Sequence, residues 1–142
     1  MGEIRLEAIY PDPIGAVWEA LTDPVELGLW LMENDFAPVV GHVFSFRTSP
    51  APGFDGVVRC KVLEIEPERR LSYSWVGGGQ ETTVTWSLAP HGNGTAVTLV
   101  HSGFSGARGF IVQQILGSGW KSKLLKRLGE QAAQIQAQPR NR

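Results

Sequence analysis

Six segments of the chain alternate apolar with polar residues, the period of two that is typical of half-buried β-strands. In the first segment, Ile4, Leu6 and Ala8 lie between charged residues. The other five follow residue 42, and we expect them at 43–47, 57–65, 71–75, 82–88 and 97–101. Short connections rich in glycine, proline or charged residues separate these five strands, which predicts an antiparallel meander.

Helical periodicity occurs twice, directly after the first strand and near the C-terminal end. Asp-Pro pairs at 12–13 and 23–24 each combine a capping residue with proline, a common start of a helix. Two short helices are therefore expected end to end. Apolar residues at 120, 124, 128, 132 and 135 predict one long amphipathic helix. The segment 105–116 before it fits a loop, a separate helical turn or the beginning of the same helix.

The order of these elements indicates one α+β domain. A strand, two helices, five strands and a long helix keep the two kinds of element in separate blocks, as α+β proteins do. The chain has 142 residues, and single domains commonly have about 100–200. We expect a single domain over residues 1–142, with an ordered core at 3–135 and a polar C-terminal tail that contains Pro139.

Charge and composition exclude several classes of protein. Thirteen Lys and Arg against fourteen Asp and Glu give a net charge of −1, so neither a nucleic acid nor a membrane is expected as a partner. Cys60 is the single cysteine, and no apolar run reaches the ~18 residues of a membrane span. These features predict a cytoplasmic protein. The three histidines are scattered, and the glycines at 77–79 lack the Lys-Ser/Thr of a phosphate loop, so no metal and no cofactor are expected.

Five segments together give the chain a resemblance to a known family. They are Val-Trp-Glu-Ala-Leu-Thr-Asp-Pro at 17–24 with Trp30 after it, Val-Gly-His-Val-Phe at 40–44, Glu-Ile-Glu-Pro at 64–67 leading to Leu-Ser-Tyr-Ser-Trp at 71–75, Gly-Thr at 94–95 with His-Ser-Gly-Phe at 101–104, and Gly-Trp at 119–120. Over residues 3–135 the sequence resembles the START/birch-pollen-allergen-like superfamily, also called SRPBCC or polyketide cyclase-like. Within that superfamily it is most similar to the branch named for the activator of the ninety-kilodalton heat-shock protein ATPase.

The resemblance implies a helix-grip fold, in which a curved antiparallel sheet of six or seven strands wraps around a long C-terminal helix. It also implies a cavity between sheet and helix that takes a small apolar or amphipathic molecule. The co-chaperones of this branch carry an additional N-terminal chaperone-binding domain, whereas this chain starts at its first strand. Activation of the chaperone is therefore not expected from this sequence.

Bulky side chains on inward faces are the candidate walls of that cavity. Tyr73, Trp75 and Trp86 lie on the inward faces of neighbouring strands, where they would stack on a flat ligand or simply pack the core. The candidate ligand-binding residues are Trp18, Trp30, Phe36, Phe44, Phe46, Tyr73, Trp75, Trp86, His101, Phe104 and Trp120. The glycines at 77–79 are interpreted as a hairpin tip that forms a flap at the cavity mouth.

Three residues support an alternative in which the protein is an enzyme of the cyclase or hydrolase kind. His101 shares a strand face with Val97 and Leu99, so it would orient a ligand, exchange a proton near neutral pH, or bond internally to a neighbouring group. Tyr73 would offer a hydroxyl. Glu64 would act as an acid if a bulge turned its carboxyl into an apolar cavity, where burial raises the pKa.

A further alternative is a module that binds the chaperone through its outer sheet surface. Such a module would present an exposed apolar patch or a charged face there. Thr83, Thr85 and Ser87 are the outward residues of one predicted strand, and they are typical of an ordinary solvated sheet. The leading hypothesis is therefore a small-ligand-binding protein.

Overall fold

One antiparallel sheet of seven strands forms the framework of the computed structural model, which describes residues 2–138. The strands are β1 (Gly2–Tyr10), β2 (Glu33–Asn34), β3 (Val43–Arg47), β4 (Val57–Glu66), β5 (Arg70–Gly77), β6 (Gln80–His91) and β7 (Gly94–Phe104). Their order across the sheet is β1-β7-β6-β5-β4-β3-β2. The first strand thus pairs with the last, and the meander continues from there to the opposite edge. The end of the predicted polar tail, residues 139–142, lies outside the described residues.

Four helices and one π-helical turn accompany the sheet. They are α1 (Ile14–Thr22), α2 (Pro24–Trp30), α3 (Gly106–Gly119), the π-turn (Trp120–Leu124) and α4 (Leu125–Ala137). α3, the π-turn and α4 follow one another without a break, so the C-terminal helix is continuous from 106 to 137. At about 1.5 Å per residue it is about 48 Å long. The predicted α+β helix-grip fold is confirmed, and the segment 105–116 belongs almost entirely to the helix.

The two Asp-Pro pairs begin helices in different ways. Asp23 caps α2 as predicted, because its carboxylate accepts from the backbone N–H of Val25 at 2.9 Å and of Glu26 at 3.2 Å. α1 instead begins one residue later than the first pair suggests, with Pro13 in the extended N-cap position and no side-chain cap. The sequence signal therefore gives both helix starts within one residue.

β2 is the element that the alternation pattern does not reveal. Its two residues pair with Arg47 and Phe46 of β3, in a stretch for which the sequence pattern indicates no strand. Two residues are too short for a period of two to be recognised. The strand count is therefore seven, the upper of the two numbers that the resemblance implies.

The core fills the space between the inner face of the sheet and the helices. Alternate residues of β6 and β7 are buried, and the buried set includes Val84, Trp86 and Leu99. α4 closes this core with Leu125, Leu128, Ala132 and Ile135. Within residues 2–138, none of the helices combines the length and the apolar run that a bilayer crossing requires.

Candidate functional site

A continuous network of aromatic rings lines the inner face of the sheet. Phe44 contacts Phe46 and Tyr73, Phe46 contacts Trp75, and Trp75 contacts Trp120. Neighbouring centroids in the network are between 4.8 and 6.3 Å apart, the separation at which aromatic pairs attract one another. The strands bring these rings together because each one occupies an inward position of its own strand.

Ten of the eleven residues proposed from the sequence as cavity walls are buried in this network or beside it. Trp18 is the exception, since it is partly exposed on α1. Trp30 lies in the interior, edge-on to Trp86 at 6.0 Å, and its indole N–H donates to the carbonyl of Ala20. The buried residues are Trp30, Phe36, Phe44, Phe46, Tyr73, Trp75, Trp86, His101, Phe104 and Trp120.

His101 is fully buried and is the centre of a directed chain of hydrogen bonds. The indole N–H of Trp120 donates to Nδ1 of His101 at 3.2 Å. Because Nδ1 accepts, the neutral ring carries its proton on Nε2, which lies 2.8 Å from Oγ1 of Thr82. The Thr82 hydroxyl in turn donates to the carbonyl of Trp75 at 2.7 Å. Each side chain therefore donates to the next, and the Thr82 hydroxyl both accepts from His101 and donates to the backbone.

Burial holds His101 in its neutral form. It lowers the pKa of the imidazole to about 3, since the surroundings offer no carboxylate to favour a charged ring. Protonation of Nδ1 would also place two N–H donors, those of His101 and Trp120, against each other. His101 is thus built as a neutral element of the interior.

Thr82 is the polar partner that sequence reasoning missed. Its position in the alternation of β6, two residues before Val84 and on the same face as Trp86, indicates an inward hydroxyl. That placement also puts it beside His101 once the two strands pair, because Thr83 is opposite Ser102 and Val84 is opposite His101. The alternation of β6 indicates that Thr82 faces inward, but its contact with His101 also depends on the register between β6 and β7, which the sequence does not give.

The hydroxyl of Tyr73 accepts one hydrogen bond in this interior but donates none within the described residues. Its oxygen accepts from the indole N–H of Trp86 at 3.1 Å, and its O–H has no acceptor among residues 2–138. The side chain is buried, which raises the pKa of the phenol well above its usual range. At neutral pH Tyr73 is therefore a donor that points into apolar surroundings.

Glu64 lies on the outside of the sheet. The register between β4 and β5 shifts between Val62 and Glu64, and the carboxylate forms an ion pair with Arg70 on the surface. Among the three acid–base candidates, Glu64 is thus salt-bridged outside, and both nitrogens of His101 are occupied. Tyr73 is a donor that stays protonated, so the geometry supports no acid–base pair among them.

The two halves of the C-terminal helix pack very differently. α4 buries five residues against the core, whereas α3 buries only Gly109 over its fourteen residues. Val112 and Leu116, which belong to the core side of α3, are only partly buried. α3 therefore covers one end of the aromatic interior with far fewer buried side chains than α4.

A groove of about 360 Å³ follows the seam between α3 and β1. Ile4, Gln113, Gly117 and Lys121 are among its lining residues. Ile4 is paired with His101 in the sheet, so the floor of the groove adjoins the polar chain of the interior. Volumes of 300–1,000 Å³ are typical of small-molecule sites (about the same order as this groove).

Arg108 fastens the beginning of α3 to two loops of the sheet. Its Nε donates to the carbonyl of Gly78 at 2.9 Å, and its Nη2 donates to the carbonyl of Gly53 at 3.0 Å. Gly78 is in the predicted hairpin tip between β5 and β6, where Gly77 pairs with Gln80. One side chain therefore ties together the three segments that meet at this end of the sheet.

Comparison with known structures finds the same architecture in several solved proteins. MLL2253 from Mesorhizobium loti is 29% identical, with a TM-score of 0.82 over 94% of this chain and 98% of that one. BH1534 from Bacillus halodurans is 32% identical, with a TM-score of 0.77 over 93% and 97%. DynU16, a protein of the dynemicin biosynthetic locus, is 28% identical, with a TM-score of 0.76 over 90% of this chain but 46% of that one.

Comparison with family models and with curated proteins completes the assignment. No curated protein matches the sequence. The family model of the Activator of Hsp90 ATPase homolog 1-like proteins matches residues 12–131, which span α1 to α4 and most of the sheet. The chain therefore belongs to the family of Activator of Hsp90 ATPase homolog 1-like proteins.

Proposed function

We infer that the protein binds a small apolar or amphipathic molecule between the inner face of the sheet and α3. The observation that carries this proposal is the contrast between the halves of the C-terminal helix. α4 is anchored by five buried residues and α3 by one glycine, so α3 can separate from the sheet while α4 keeps the fold closed. A ligand would then bury its apolar surface against the rings of Trp75, Phe104 and Trp120.

The chemistry of the interior indicates a neutral ligand with one hydrogen-bond acceptor. His101 is neutral and its two nitrogens are occupied, so it offers a bound molecule neither charge nor a free donor. Tyr73 retains an O–H donor one inward position along β5 from Trp75. A carbonyl or ether oxygen of the ligand would accept this bond, and the rest of the molecule would be recognised by ring contacts.

The relatives support a role with small molecules. DynU16 is described as a protein in the dynemicin biosynthetic locus, so one structural relative is encoded with the genes for a small-molecule product. Cys60 is buried and is the single cysteine of this chain, as is common in proteins of a reducing compartment. We therefore propose cytoplasmic ligand binding.

A matched pair of probes tests the proposal. 2-Acetylnaphthalene has a carbonyl acceptor, and 2-ethylnaphthalene is the corresponding molecule with a CH₂ group in place of the carbonyl. We expect both to bind saturably with one site, followed by tryptophan fluorescence, and the ketone to bind more tightly by about tenfold, the equivalent of one buried hydrogen bond.

Tyr73→Phe is the decisive variant for the orientation of the ligand. It should remove the tenfold preference for the ketone and leave the affinity for 2-ethylnaphthalene within about twofold. Val25→Ala, at an exposed position of α2, serves as a matched control and should change neither affinity. Absence of saturable binding by both probes would refute the proposed function.

A further inference from the structure

An exposed apolar surface extends along α3. Phe110, Ile111 and Ile115 are 63%, 58% and 65% exposed, although they are among the most hydrophobic side chains of the C-terminal helix. Single exposed apolar residues are normal, but three within two helical turns form a patch that marks an interaction surface.

Ile111 and Ile115 lie on the side of α3 that faces away from the sheet, whereas the exposed Phe110 lies three residues before Gln113, at the border of that side. On the sheet side of α3, the Gln113 amide donates to the carbonyl of Glu3 at 3.0 Å, and Gly117 lies over Ile4. At about 3.6 residues per turn, Ile111 and Ile115 share the nearly opposite side of the helix. The apolar patch is therefore presented to whatever approaches the molecule from outside.

Positive charge is concentrated on the same helix. Residues 106–138 contain five Lys and Arg but one Asp or Glu, a formal charge of +4. Residues 2–105 contain six Lys and Arg against thirteen Asp and Glu, a formal charge of −7. The cations of the helix are exposed; they are Arg108, Lys121, Lys123, Lys126 and Arg127. The small net charge of the whole chain conceals this separation.

The combination of charge and apolar side chains decides between the kinds of partner. A nucleic acid would bind the cations through its phosphates and leave Phe110, Ile111 and Ile115 without a partner. A second copy docked through the same face would bring +4 against +4. The interface of an anionic bilayer takes both features, because its phosphates attract Lys and Arg while the acyl boundary accepts aromatic and aliphatic side chains.

We propose that the outer face of the C-terminal helix docks on an anionic lipid surface. Phe110, Ile111 and Ile115 enter the headgroup–acyl boundary, and the lysines of the π-turn and α4 bind lipid phosphates. The helix lies along the surface, so the start of α3, where Arg108 holds the two loops, also reaches the lipid. This docking depends on surface residues alone and stands whether or not the interior binds a ligand.

Vesicle sedimentation with the full chain tests the docking. The vesicles are phosphatidylcholine alone or phosphatidylcholine with about one-third phosphatidylglycerol. We expect binding to the mixed vesicles at low salt, at least tenfold weaker binding to phosphatidylcholine alone, and a marked loss at about 0.5 M salt, where charges are screened.

Two triple variants separate the contributions. Lys121→Gln/Lys123→Gln/Lys126→Gln should weaken binding to the mixed vesicles at least tenfold, since each cation near an anionic surface is worth roughly a factor of five. Phe110→Ser/Ile111→Gln/Ile115→Gln should weaken it about tenfold or more by removing the buried apolar area. All six positions are exposed, and circular dichroism checks that each variant is folded.

Matched controls change the same residue types elsewhere on the surface. Val25→Gln/Leu29→Gln removes exposed apolar side chains of α2, and Arg47→Gln/Arg69→Gln removes an exposed cation of β3 and one of the turn between β4 and β5. Both should bind the mixed vesicles within about twofold of the unaltered protein.

Four results would overturn the proposal. They are no binding to the mixed vesicles at low salt, equal losses in the controls, retention of a DNA duplex that needs the lysines but not the apolar residues, and self-association in sedimentation velocity that the apolar variant abolishes. The last two would identify a nucleic acid or a second copy as the occupant of this face.

Discussion

The chain of hydrogen bonds through His101 runs in one direction, with its first donor on the C-terminal helix and its last acceptor in the sheet. Trp120 donates to His101, His101 to Thr82, and Thr82 to the backbone of Trp75. Because each link fixes the donor of the next, the loss of one member leaves a buried group without its partner. The chain therefore fixes how the C-terminal helix sits over β6 and β7.

Thr82→Val should destabilise the fold by about 2 kcal/mol. Valine has nearly the shape of threonine, but it leaves Nε2 of His101 and the carbonyl of Trp75 without a partner in a buried site. Urea unfolding measures the change. Thr83→Val, at the partly exposed outer face of the same strand, is the matched control and should stay within about 0.5 kcal/mol; equal effects of the two variants would contradict the role of the chain.

The stability of the protein should fall as the pH drops below neutrality because of His101. Burial lowers the pKa of His101 from 6.5 to about 3. Between these two pH values, His101 is protonated in the unfolded chain but neutral in the folded protein. The contribution is complete above about pH 6.5 and is lost as the pH falls from there toward 3. Between about pH 7 and pH 5 the loss should be about 2 kcal/mol, measured by urea unfolding at each pH.

A variant without the imidazole tests the cause of that slope. His101→Gln should be less stable at neutral pH, yet its stability should change less between pH 7 and pH 5 than that of the unaltered protein. His91→Gln, at the exposed last residue of β6, should retain the full slope. Parallel curves for His101→Gln and the unaltered protein would show that another group is responsible.

For single residues, the sequence predicts whether a side chain faces inward better than it predicts the hydrogen-bond partner of that side chain. Alternation places His101, Tyr73 and Trp86 inward, and each is buried. The partner of His101 on the C-terminal helix could not be predicted, because it depends on which turn of that helix lies over β7. Glu64 shows the converse, since a register shift that no residue type announces turns it outward.

At the scale of elements, α3 should respond in opposite directions to the same substitution at two of its glycines. A Cβ on Gly119 would meet nothing within 4 Å, so Gly119→Ala should stabilise the protein by about 0.5–1 kcal/mol through helix propensity. A Cβ on Gly109 would lie 2.8 Å from Oε1 of Gln80 and 3.2 Å from the carbonyl carbon of Phe104. Gly109→Ala should therefore destabilise it, by about 1 kcal/mol.

Thermal unfolding of the two variants measures this difference, and each serves as the control of the other. The Gln80 amide cannot simply turn aside, because its Oε1 accepts from the backbone N–H of Ser105 at the start of α3. A stabilising Gly109→Ala would contradict the close contact of this position with Gln80 and Phe104.

Arg108 should control the mobility of the two loops it contacts. Arg108→Ala removes the bonds to Gly53 and Gly78, and we expect faster amide hydrogen exchange at 51–56 and 77–80 with little change in global stability. Arg47→Ala, an exposed arginine of β3, should leave exchange in both loops unchanged. Unaltered loops in Arg108→Ala would show that their backbone bonds suffice to hold them.

The elements themselves were largely predictable, and the exceptions have physical reasons. Six strands, two short helices and the long helix follow from periodicity because each buries one regular face. The start of the long helix did not, because α3 buries only one residue and so carries no apolar stripe on a single side. β2 was missed because two residues show no period.

At the scale of the whole molecule, the separation of charge should be visible in solution. We expect the protein to be retained on a cation exchanger at low salt and neutral pH, although its net charge is −1, because the segment 106–138 that contains the C-terminal helix carries a formal charge of +4 with its cations exposed. Lys121→Gln/Lys123→Gln/Lys126→Gln should elute without retention. Arg47→Gln/Arg69→Gln, with cations removed elsewhere, should elute close to the unaltered protein.

Net charge was the feature of the sequence that predicted least. Averaged over 142 residues it suggested a protein without an electrostatic partner, whereas four cations lie within 121–127 alone. The α+β class, in contrast, followed from the order of the elements, and the helix-grip fold followed from the resemblance carried by motifs spread over nearly the whole chain. The distribution of charge on the surface depends on where the charged residues lie in the fold, and the net charge of the chain does not contain that information.

The pairing of β1 with β7 has a consequence for how the protein is made. Tyr10 is opposite Thr95 and Ile4 is opposite His101, so the first strand to leave the ribosome waits for a partner that is synthesised ~90 residues later, roughly 5–20 s at ordinary rates of translation. During that interval β1 presents an unpaired edge with alternating apolar residues, the kind of segment that associates with other nascent chains. Its charged residues, Glu3, Arg5 and Glu7, alternate with those apolar residues and protect the strand until β7 arrives.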